Sequence, residues 1–237
     1  MKLKMLLLPA VLLLAAGCGE KSSQSDIDAL KQELKEVKEL QVTMARRLGL
    51  GELVRPEVIQ MQQGIKIGAD DARIAIMEFT DLHCPFCRRF NDDVYPELKT
   101  QFIDTGEVQF VARELPLMNI HPNAGMAAVA LRCANAQGQY QPVKNALFAN
   151  AAEFSATYLE KMGETFGFEQ EAFDACLKDV NIHAAINESL AYARELGLNS
   201  TPVFLIGKKQ GNSITDYQII TGAQSLDVFA KAIAELK

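Results

Sequence analysis

The feature that most constrains this chain is a pair of cysteines separated by two residues, Cys84-Pro85-Phe86-Cys87. In the first turn of a helix, residues three apart lie on one face, close enough for two sulfurs to bridge without backbone strain. Pro85 suits such a turn, where a missing backbone N–H costs nothing. Cys84 would lie at the helix N-terminus, where unpaired amides and the helix dipole stabilise negative charge. We therefore expect Cys84 to be an attacking thiolate with a pKa below about 8.5, and Cys87 to be a buried resolving thiol.

Two closely spaced cysteines can also serve in a zinc site or in a structural disulfide. The pair could be half of a zinc site, but zinc would need a second closely spaced pair, and Cys133 and Cys176 stand far apart. It could also be an inert structural disulfide. The three histidines are scattered, and a net charge of −6 without a basic run gives no surface for nucleic acid. We expect no metal, no cofactor and no nucleic-acid partner.

The N-terminus is typical of an export signal. Two early lysines precede an apolar run that is shorter than the ~20 residues of a membrane-spanning helix. The run ends in Ala-Ala-Gly-Cys, which resembles a bacterial lipobox, so we expect residues 1–17 to be a lipoprotein signal peptide and Cys18 to be lipidated. The alternative is an ordinary secretory signal. Gly19, instead of aspartate, would direct a Gram-negative lipoprotein to the outer membrane. Export implies an oxidising compartment, in which disulfides persist.

After the signal, the sequence changes character twice. Residues 18–25 are small and polar, which predicts a flexible tether. Residues 26–48 show the alternating spacing of three and four that forms the seam of a coiled coil. Opposite charges at the flanking positions favour parallel pairing of identical helices, hence a homo-oligomer. The alternative is an amphipathic helix packed on its own domain. The seam consists of Ile27, Leu30, Leu34, Val37, Gln41, Met44 and Leu48.

The rest of the chain predicts an α/β domain over residues 65–237, joined by a connector over residues 49–64. Short apolar runs bounded by turn residues indicate strands, and a long alanine-rich stretch over residues 121–196 indicates a block of helices. The order is strand–helix–strand, helical block, then strand–strand–helix, which is a thioredoxin-like fold with an inserted helical domain. The predicted strands cover 73–79, 107–113, 203–206 and 217–221, the helices 85–105 and from 225, and a hairpin loop 207–212.

Several motifs occur together in an informative order. Glu78-Phe-Thr-Asp-Leu-His-Cys-Pro-Phe-Cys87 comes first, then Arg113-Glu-Leu-Pro-Leu117, and Ser200-Thr-Pro-Val-Phe204 comes late; His121-Pro122, Cys133-Ala134 and Gln137-Gly138 lie between them. From about Ile65 to the C-terminus the chain thus resembles the DsbA-like thioredoxin-fold oxidoreductases. The resemblance implies an enzyme that exchanges disulfides with unfolded or misoxidised exported proteins. It also implies a membrane redox partner, either a quinone-linked oxidase or a thiol reductase.

The resemblance assigns further roles. Pro202 matches the family's cis-proline, which exposes a backbone edge to substrate, although a cis bond is otherwise found at about 5–6% of X-Pro bonds. Thr201 matches the residue that contacts the cysteines and tunes their potential. Glu78 matches a buried acid that moves protons for the resolving thiol, and an acid inside an apolar strand fits a perturbed site. The alternative is that Glu78 faces water at a strand edge.

One departure concerns the residue inside the pair. Strongly oxidising members carry histidine where this chain has Phe86, and His83 stands before Cys84 instead. We therefore expect a moderate redox potential. Cys133 and Cys176 remain once the pair and Cys18 are set aside; leftover cysteines in an oxidising compartment usually pair, and relatives bridge equivalent helices. We therefore expect a structural disulfide between Cys133 and Cys176; the alternative is two buried, reduced thiols.

Two questions stay open at this point. The helical insertion favours an oxidase, whereas the seam of residues 26–48 and Thr201 favour an isomerase or reductase. A different class is a non-catalytic envelope lipoprotein in which the fold serves as a binding module. The remaining histidines are expected to be a turn residue, His121, and a helix-surface residue, His183. The predicted location is the periplasmic side of a bacterial cell envelope, anchored by lipid.

Overall fold

A computed structural model of the chain describes residues 24–50 and 54–237. The chain divides into two compact units, with the boundary between Val54 and Arg55. The predicted signal peptide, the lipidation site Cys18 and most of the predicted tether lie outside the described residues. No helix within the described ranges is long and apolar enough to cross a membrane.

In the first unit, the described residues form one helix, α1 (Gln24–Arg47). It covers the range in which the seam spacing predicts a helix, and Asp26 in its first turn complements the helix dipole. The apolar seam residues are exposed to solvent, among them Leu30, Leu34 and Met44. Pairing of this helix with a second copy remains a prediction.

The second unit is built on a six-stranded mixed sheet with the order β1-β6-β5-β3-β4-β2. β3 and β4 pair in parallel at the centre, and the other neighbouring pairs are antiparallel. Every residue of β3 and β4 is buried, as expected of parallel strands covered on both faces. The strands are β1 (Ile59–Gln60), β2 (Ile65–Ile67), β3 (Ile74–Thr80), β4 (Val108–Glu114), β5 (Val203–Gln210) and β6 (Ser213–Thr221).

The helices pack on this sheet in two groups. α2 (Pro85–Arg89) and α3 (Tyr95–Leu98) belong to one continuous helix, which is interrupted by π-type turns at Phe90–Val94 and Lys99–Ile103. Pro96 lacks the N–H that an α-helical ladder would need there, and the first π-type turn ends at Val94, two residues before it. The helical block follows β4, and α9 ends the chain. The remaining helices are α4 (Ala124–Ala136), α5 (Tyr140–Ala149), α6 (Ala156–Phe166), α7 (Gln170–Leu177), α8 (Val180–Glu195) and α9 (Leu226–Glu235).

Two features hold the parts of this unit together. Phe90, Phe204 and Phe229 meet with ring centroids between 4.4 and 5.5 Å apart, which fixes the helix formed by α2 and α3 and the helix α9 on one side of the sheet. Cys133 of α4 and Cys176 of α7 are joined by a disulfide, with an S–S distance of 2.03 Å. The disulfide thus cross-links the helical block internally.

The structure corrects two predicted boundaries. Ile59, assigned to the connector over residues 49–64, is fully buried and pairs with Ile214, so the sheet begins inside that range. The hairpin loop is not residues 207–212 but the two residues between β5 and β6, Gly211 and Asn212. Gly207 belongs to the strand, where an added Cβ would lie 2.5 Å from a backbone oxygen of β6, so this glycine permits close strand contact instead of a turn.

Candidate active site

Cys84 is the N-cap residue of α2, directly after the turn that leaves β3. Its backbone is extended, its N–H donates to the Asp81 carbonyl at 3.0 Å, and Pro85 occupies the first turn of the helix. The Cys84 carbonyl accepts the first backbone hydrogen bond of the helix, from Arg88 at 3.0 Å. The sulfur therefore lies where the unpaired amides at the start of α2 stabilise negative charge.

The surroundings of the Cys84 thiol favour its ionised form. Its pKa is lowered from 9.0 to about 5, first by the hydrogen bond from the Cys87 thiol and also by Thr201 and the amides of Cys87 and Phe86, while burial opposes the shift. As a thiol, Cys84 donates to the Thr201 carbonyl at 3.5 Å. A value of about 5 lies between the ~3.5 of a strong oxidant and the ~7 of thioredoxin.

Cys87 has the opposite environment one turn deeper. Its side chain is fully buried, and burial raises its pKa well above 9.0, with further increases from Cys84 and from the charge of Glu78. The Asp81 N–H donates to its sulfur at 3.5 Å, which lowers that pKa in part. The geometry therefore distinguishes an outer, acidic thiol from an inner, protonated one.

Pro202 lies at the other side of the pair. The Thr201–Pro202 peptide bond is cis, and the Thr201 carbonyl lies within reach of Cys84. The bond immediately precedes β5, so the central sheet positions it. The predicted contact of Pro202 with substrate stays a prediction.

Glu78 is fully buried on β3, which makes the water-facing alternative wrong. Its Oε2 accepts a hydrogen bond from the Lys144 ammonium at 2.9 Å, while its Oε1 has no partner among the described residues. Lys144 extends from α5 and is itself fully buried, with its Nζ 5.4 to 6.0 Å from the centroids of four aromatic rings. The rings belong to Tyr95, Phe110, Tyr140 and Phe148 and supply cation–π stabilisation. Nothing in the sequence distinguishes Lys144 from a surface lysine of an amphipathic helix, so Lys144 is absent from the predicted site.

Asp81 and His121 form a second polar contact, which the sequence does not predict. The buried Asp81 carboxylate lies 2.8 Å from His121 Nδ1, although His121 was expected to be only a turn residue. His83 packs edge-on against Phe154, and burial lowers its pKa. His183 lies far along the chain on α8, where its Nε2 is 2.8 Å from the Leu177 carbonyl.

The surface around Cys84 is partly apolar. The Phe86 side chain is 53% exposed, and the Arg89 guanidinium lies 5.3 Å from its ring centroid. A cavity of about 210 Å³ opens beside Cys84 between the active-site turn and the start of the α5–α6 loop, with Leu82, Pro85 and Phe148 in its wall. In the described parts of the chain, no group of three or more His, Cys, Asp or Glu side chains is arranged to hold a metal ion.

Residues 60–225 match the family model described as thioredoxin (Thioredoxin_4). The chain belongs to this family. Solved structures place it among the DsbA-like members: Wolbachia pipientis α-DsbA1 is 26% identical, with a TM-score of 0.65 over 78% of this chain and 94% of that one. Oxidised BdbD from Bacillus subtilis (18%, TM-score 0.61) covers 76% of this chain and 98% of its own. A linker-deletion variant of Proteus mirabilis ScsC (17%, TM-score 0.57) covers 90% of this chain and 88% of its own. The predicted thioredoxin-like fold is confirmed.

The curated relatives are matched over only part of their length. The Na⁺/H⁺ antiporter NhaA 1 of Mycobacterium sp. (strain KMS) is 31% identical over 163 residues, which is 67% of this chain and 25% of the relative. The chain thus spans about a quarter of the length of these antiporters. Disulfide bond formation protein D of Bacillus subtilis is 46% identical over 44 residues, 19% of this chain and 20% of that protein.

Proposed function

We propose that this chain is a protein thiol–disulfide oxidoreductase of the bacterial envelope, with Cys84 as nucleophile and Cys87 as resolving thiol. The observation that carries the proposal is the contrast between the two sulfurs. Cys84 at the N-terminus of α2 has a pKa of about 5, and the buried Cys87 has a raised pKa. Only the ionised sulfur attacks a disulfide, so this contrast sets the order of the two steps.

The exchange then follows from the geometry. In the oxidising direction, a substrate thiolate attacks Cys84 Sγ, the Cys84–Cys87 bond breaks, and Cys87 leaves as a thiolate that takes up a proton. A second substrate thiolate attacks the mixed disulfide and releases Cys84 as a thiolate, so two electrons pass from the substrate to the pair. The backbone edge at Thr201 and Pro202 is positioned to hold the substrate chain beside Cys84. The opposite direction uses the same steps in reverse.

Glu78 and Lys144 are proposed to serve the proton of Cys87. Burial disfavours a charged Cys87, so the sulfur must gain a proton when it leaves and lose it when it attacks. Glu78 lies close enough for its charge to raise the Cys87 pKa, and its Oε1 is not engaged by another described group. Lys144 keeps the buried carboxylate paired.

The direction of electron flow follows from the redox potential. Strong stabilisation of the Cys84 thiolate makes the reduced form more stable and the disulfide a better oxidant. Because the pKa of about 5 is intermediate, we infer a potential between about −270 and about −120 mV. Phe86, in place of a histidine, is consistent with this range. A measured value at about −120 mV would contradict it.

We further propose an arrangement at the membrane. Residues 1–17 would direct export, the lipid on Cys18 would anchor the mature protein to the outer membrane, and α1 would pair with copies of itself through its exposed seam. A membrane quinone-linked oxidase or a thiol reductase would restore the active pair. The substrates would be unfolded or misoxidised exported proteins.

The function is tested by refolding assays with the full mature chain. Reduced and scrambled forms of a disulfide-containing substrate distinguish an oxidase from an isomerase, and C84S should abolish both activities. If C84S assisted refolding as well as the wild type does, the result would instead support the non-catalytic binding module. A variant lacking residues 26–48 tests the role of α1. Loss of isomerase activity alone would indicate an oligomeric isomerase, and unchanged isomerase activity would exclude one.

A further inference from the structure

Asp81 contacts both cysteines through its backbone. Its N–H donates to Cys87 Sγ at 3.5 Å, and its carbonyl accepts the Cys84 N–H at 3.0 Å. Asp81 is the first residue after β3 and is 1% exposed. The position of the Asp81 backbone therefore decides whether Cys87 Sγ has an amide donor.

The Asp81 side chain is held by three donors. Oδ1 accepts the His83 N–H at 2.8 Å, and Oδ2 accepts the Leu117 N–H at 2.8 Å and contacts His121 Nδ1 at 2.8 Å. Because an ionised carboxylate can only accept, the proton in the last contact belongs to His121 Nδ1. Leu117 and His121 lie on the loop between β4 and α4, so the carboxylate ties that loop to the active-site turn. A buried carboxylate that loses a donor becomes costly, and the local structure has to rearrange.

The other groups around this contact are few and well defined. From the active-site turn, the His83 ring centroid lies 6.4 Å from that of His121. The α5–α6 loop contributes Phe154, whose ring packs edge-on against His83 with a centroid distance of 5.6 Å. His121 is thus the side-chain donor that reaches the carboxylate, and Phe154 shields this side of the turn.

We propose that Asp81 and His121 are positioning residues for the resolving cysteine. His121 holds the Asp81 carboxylate, and this keeps the Asp81 N–H directed at Cys87 Sγ. When the internal disulfide opens, the electron pair of the broken S–S bond goes to Cys87 Sγ, and the amide stabilises that charge until a proton arrives. When the disulfide closes, the same amide stabilises the thiolate that attacks. The purpose of this contact rests on the proposed oxidoreductase function, but its effect on one thiol can be measured without substrate.

The decisive measurement is the reactivity of Cys87 in the full chain carrying C84S. Alkylation by iodoacetamide is followed over a range of pH on the peptide that contains Cys87, by mass spectrometry. H121L removes the donor, and we expect the Cys87 thiolate population to fall about tenfold, which corresponds to one pKa unit. H121N places an amide N–H near the former Nδ1 and should keep the population within about twofold of the parent.

Two further variants separate positioning from a merely structural role. H183N changes a histidine whose contact is with the Leu177 carbonyl, and it should leave Cys87 reactivity unchanged. If H121L does not fold, H121Q replaces it, since the longer amide presents its donor at the Nε2 position and should also lower the thiolate population. A lower melting temperature of H121L with unchanged Cys87 reactivity would overturn the proposal. An equal loss of reactivity in H121L and H121N would overturn it as well.

With Cys84 restored, the two reaction steps give a second readout. H121L should slow the resolution of a preformed mixed disulfide by about the factor by which the thiolate population falls, while alkylation of Cys84 stays unchanged. Slowing of both steps equally would contradict the assignment to Cys87. If the wild type failed to exchange disulfides with any substrate tested, the proposed function would fail. The titration of Cys87 would still decide the role of Asp81 and His121.

Discussion

The lowered pKa of Cys84 makes the stability of the reduced protein depend on pH in a calculable way. The thiol has a reference pKa of 9.0 and a folded-state pKa of about 5. A depressed folded-state pKa gives stability that is complete above the unfolded pKa and is lost as the pH falls through the folded value. At pH 7 the folded thiol is ionised and the unfolded one is not. The two pH units above the folded pKa are worth about 1.36 kcal/mol each, so the upper value is about 2.7 kcal/mol. Solvent screening at the rim of the site reduces this to about 1.4 kcal/mol.

The assay is chemical denaturation of the reduced protein near pH 7 and near pH 4, for the wild type and for C84S. Carboxylates elsewhere titrate equally in both proteins, so the difference between them isolates the thiolate. We expect the wild type to lose about 1.4 kcal/mol more than C84S between the two conditions. The thiolate absorbance of the wild type should show its midpoint well below 9.0. Equal losses in the two proteins, or a midpoint near 9.0, would refute the assigned environment of Cys84.

Three other predictions concern the ion pair between Lys144 and Glu78, the disulfide of the helical block and α1. K144M leaves Glu78 buried without its partner and should destabilise the protein by about 3–5 kcal/mol, whereas K144M with E78Q should recover most of this; additive losses in denaturation would show that the two side chains are not coupled. Replacing Cys133 and Cys176 by alanine should lower the free energy of unfolding by about 2–5 kcal/mol, and disulfide exchange measured below the new melting temperature should persist. L34K places a charge in the exposed seam of α1 and should convert an oligomer into a monomer in sedimentation, with no change in Cys84 reactivity; an unchanged mass would exclude pairing through this seam.

The sequence predicts most of the site because most of the chemically active residues lie in short motifs. The cysteine pair, its proline and the buried acid lie within the ten residues from Glu78 to Cys87. The spacing indicates the roles of the two cysteines and of Pro85, whereas the role of Glu78 is implied by the family resemblance. The missing partners come from far along the chain. Lys144 is 66 residues from Glu78, and His121 is 40 residues from Asp81. Contacts between residues so far apart in sequence produce no periodic pattern, because they form only when the helical block and the β4–α4 loop fold against the sheet.

The boundaries of the fold show the same limit. Strands β3 and β4 are predicted because each contains a short apolar run bounded by turn residues. β1 has two residues, Ile59 and Gln60, too few to show the alternation by which a strand is recognised. Gly207 suggests a turn by its residue type, yet it serves close approach between β5 and β6.

The position of Lys144 has a consequence for the history and the engineering of such domains. The helical block cannot be removed without affecting the redox site, because its Lys144 pairs with Glu78, whose charge acts on Cys87. Trimming the block to obtain a minimal enzyme would leave Glu78 charged in an apolar interior, or neutral and without its present partner. Any chimaera that exchanges the block must therefore carry the acid and the base together, as one inherited unit.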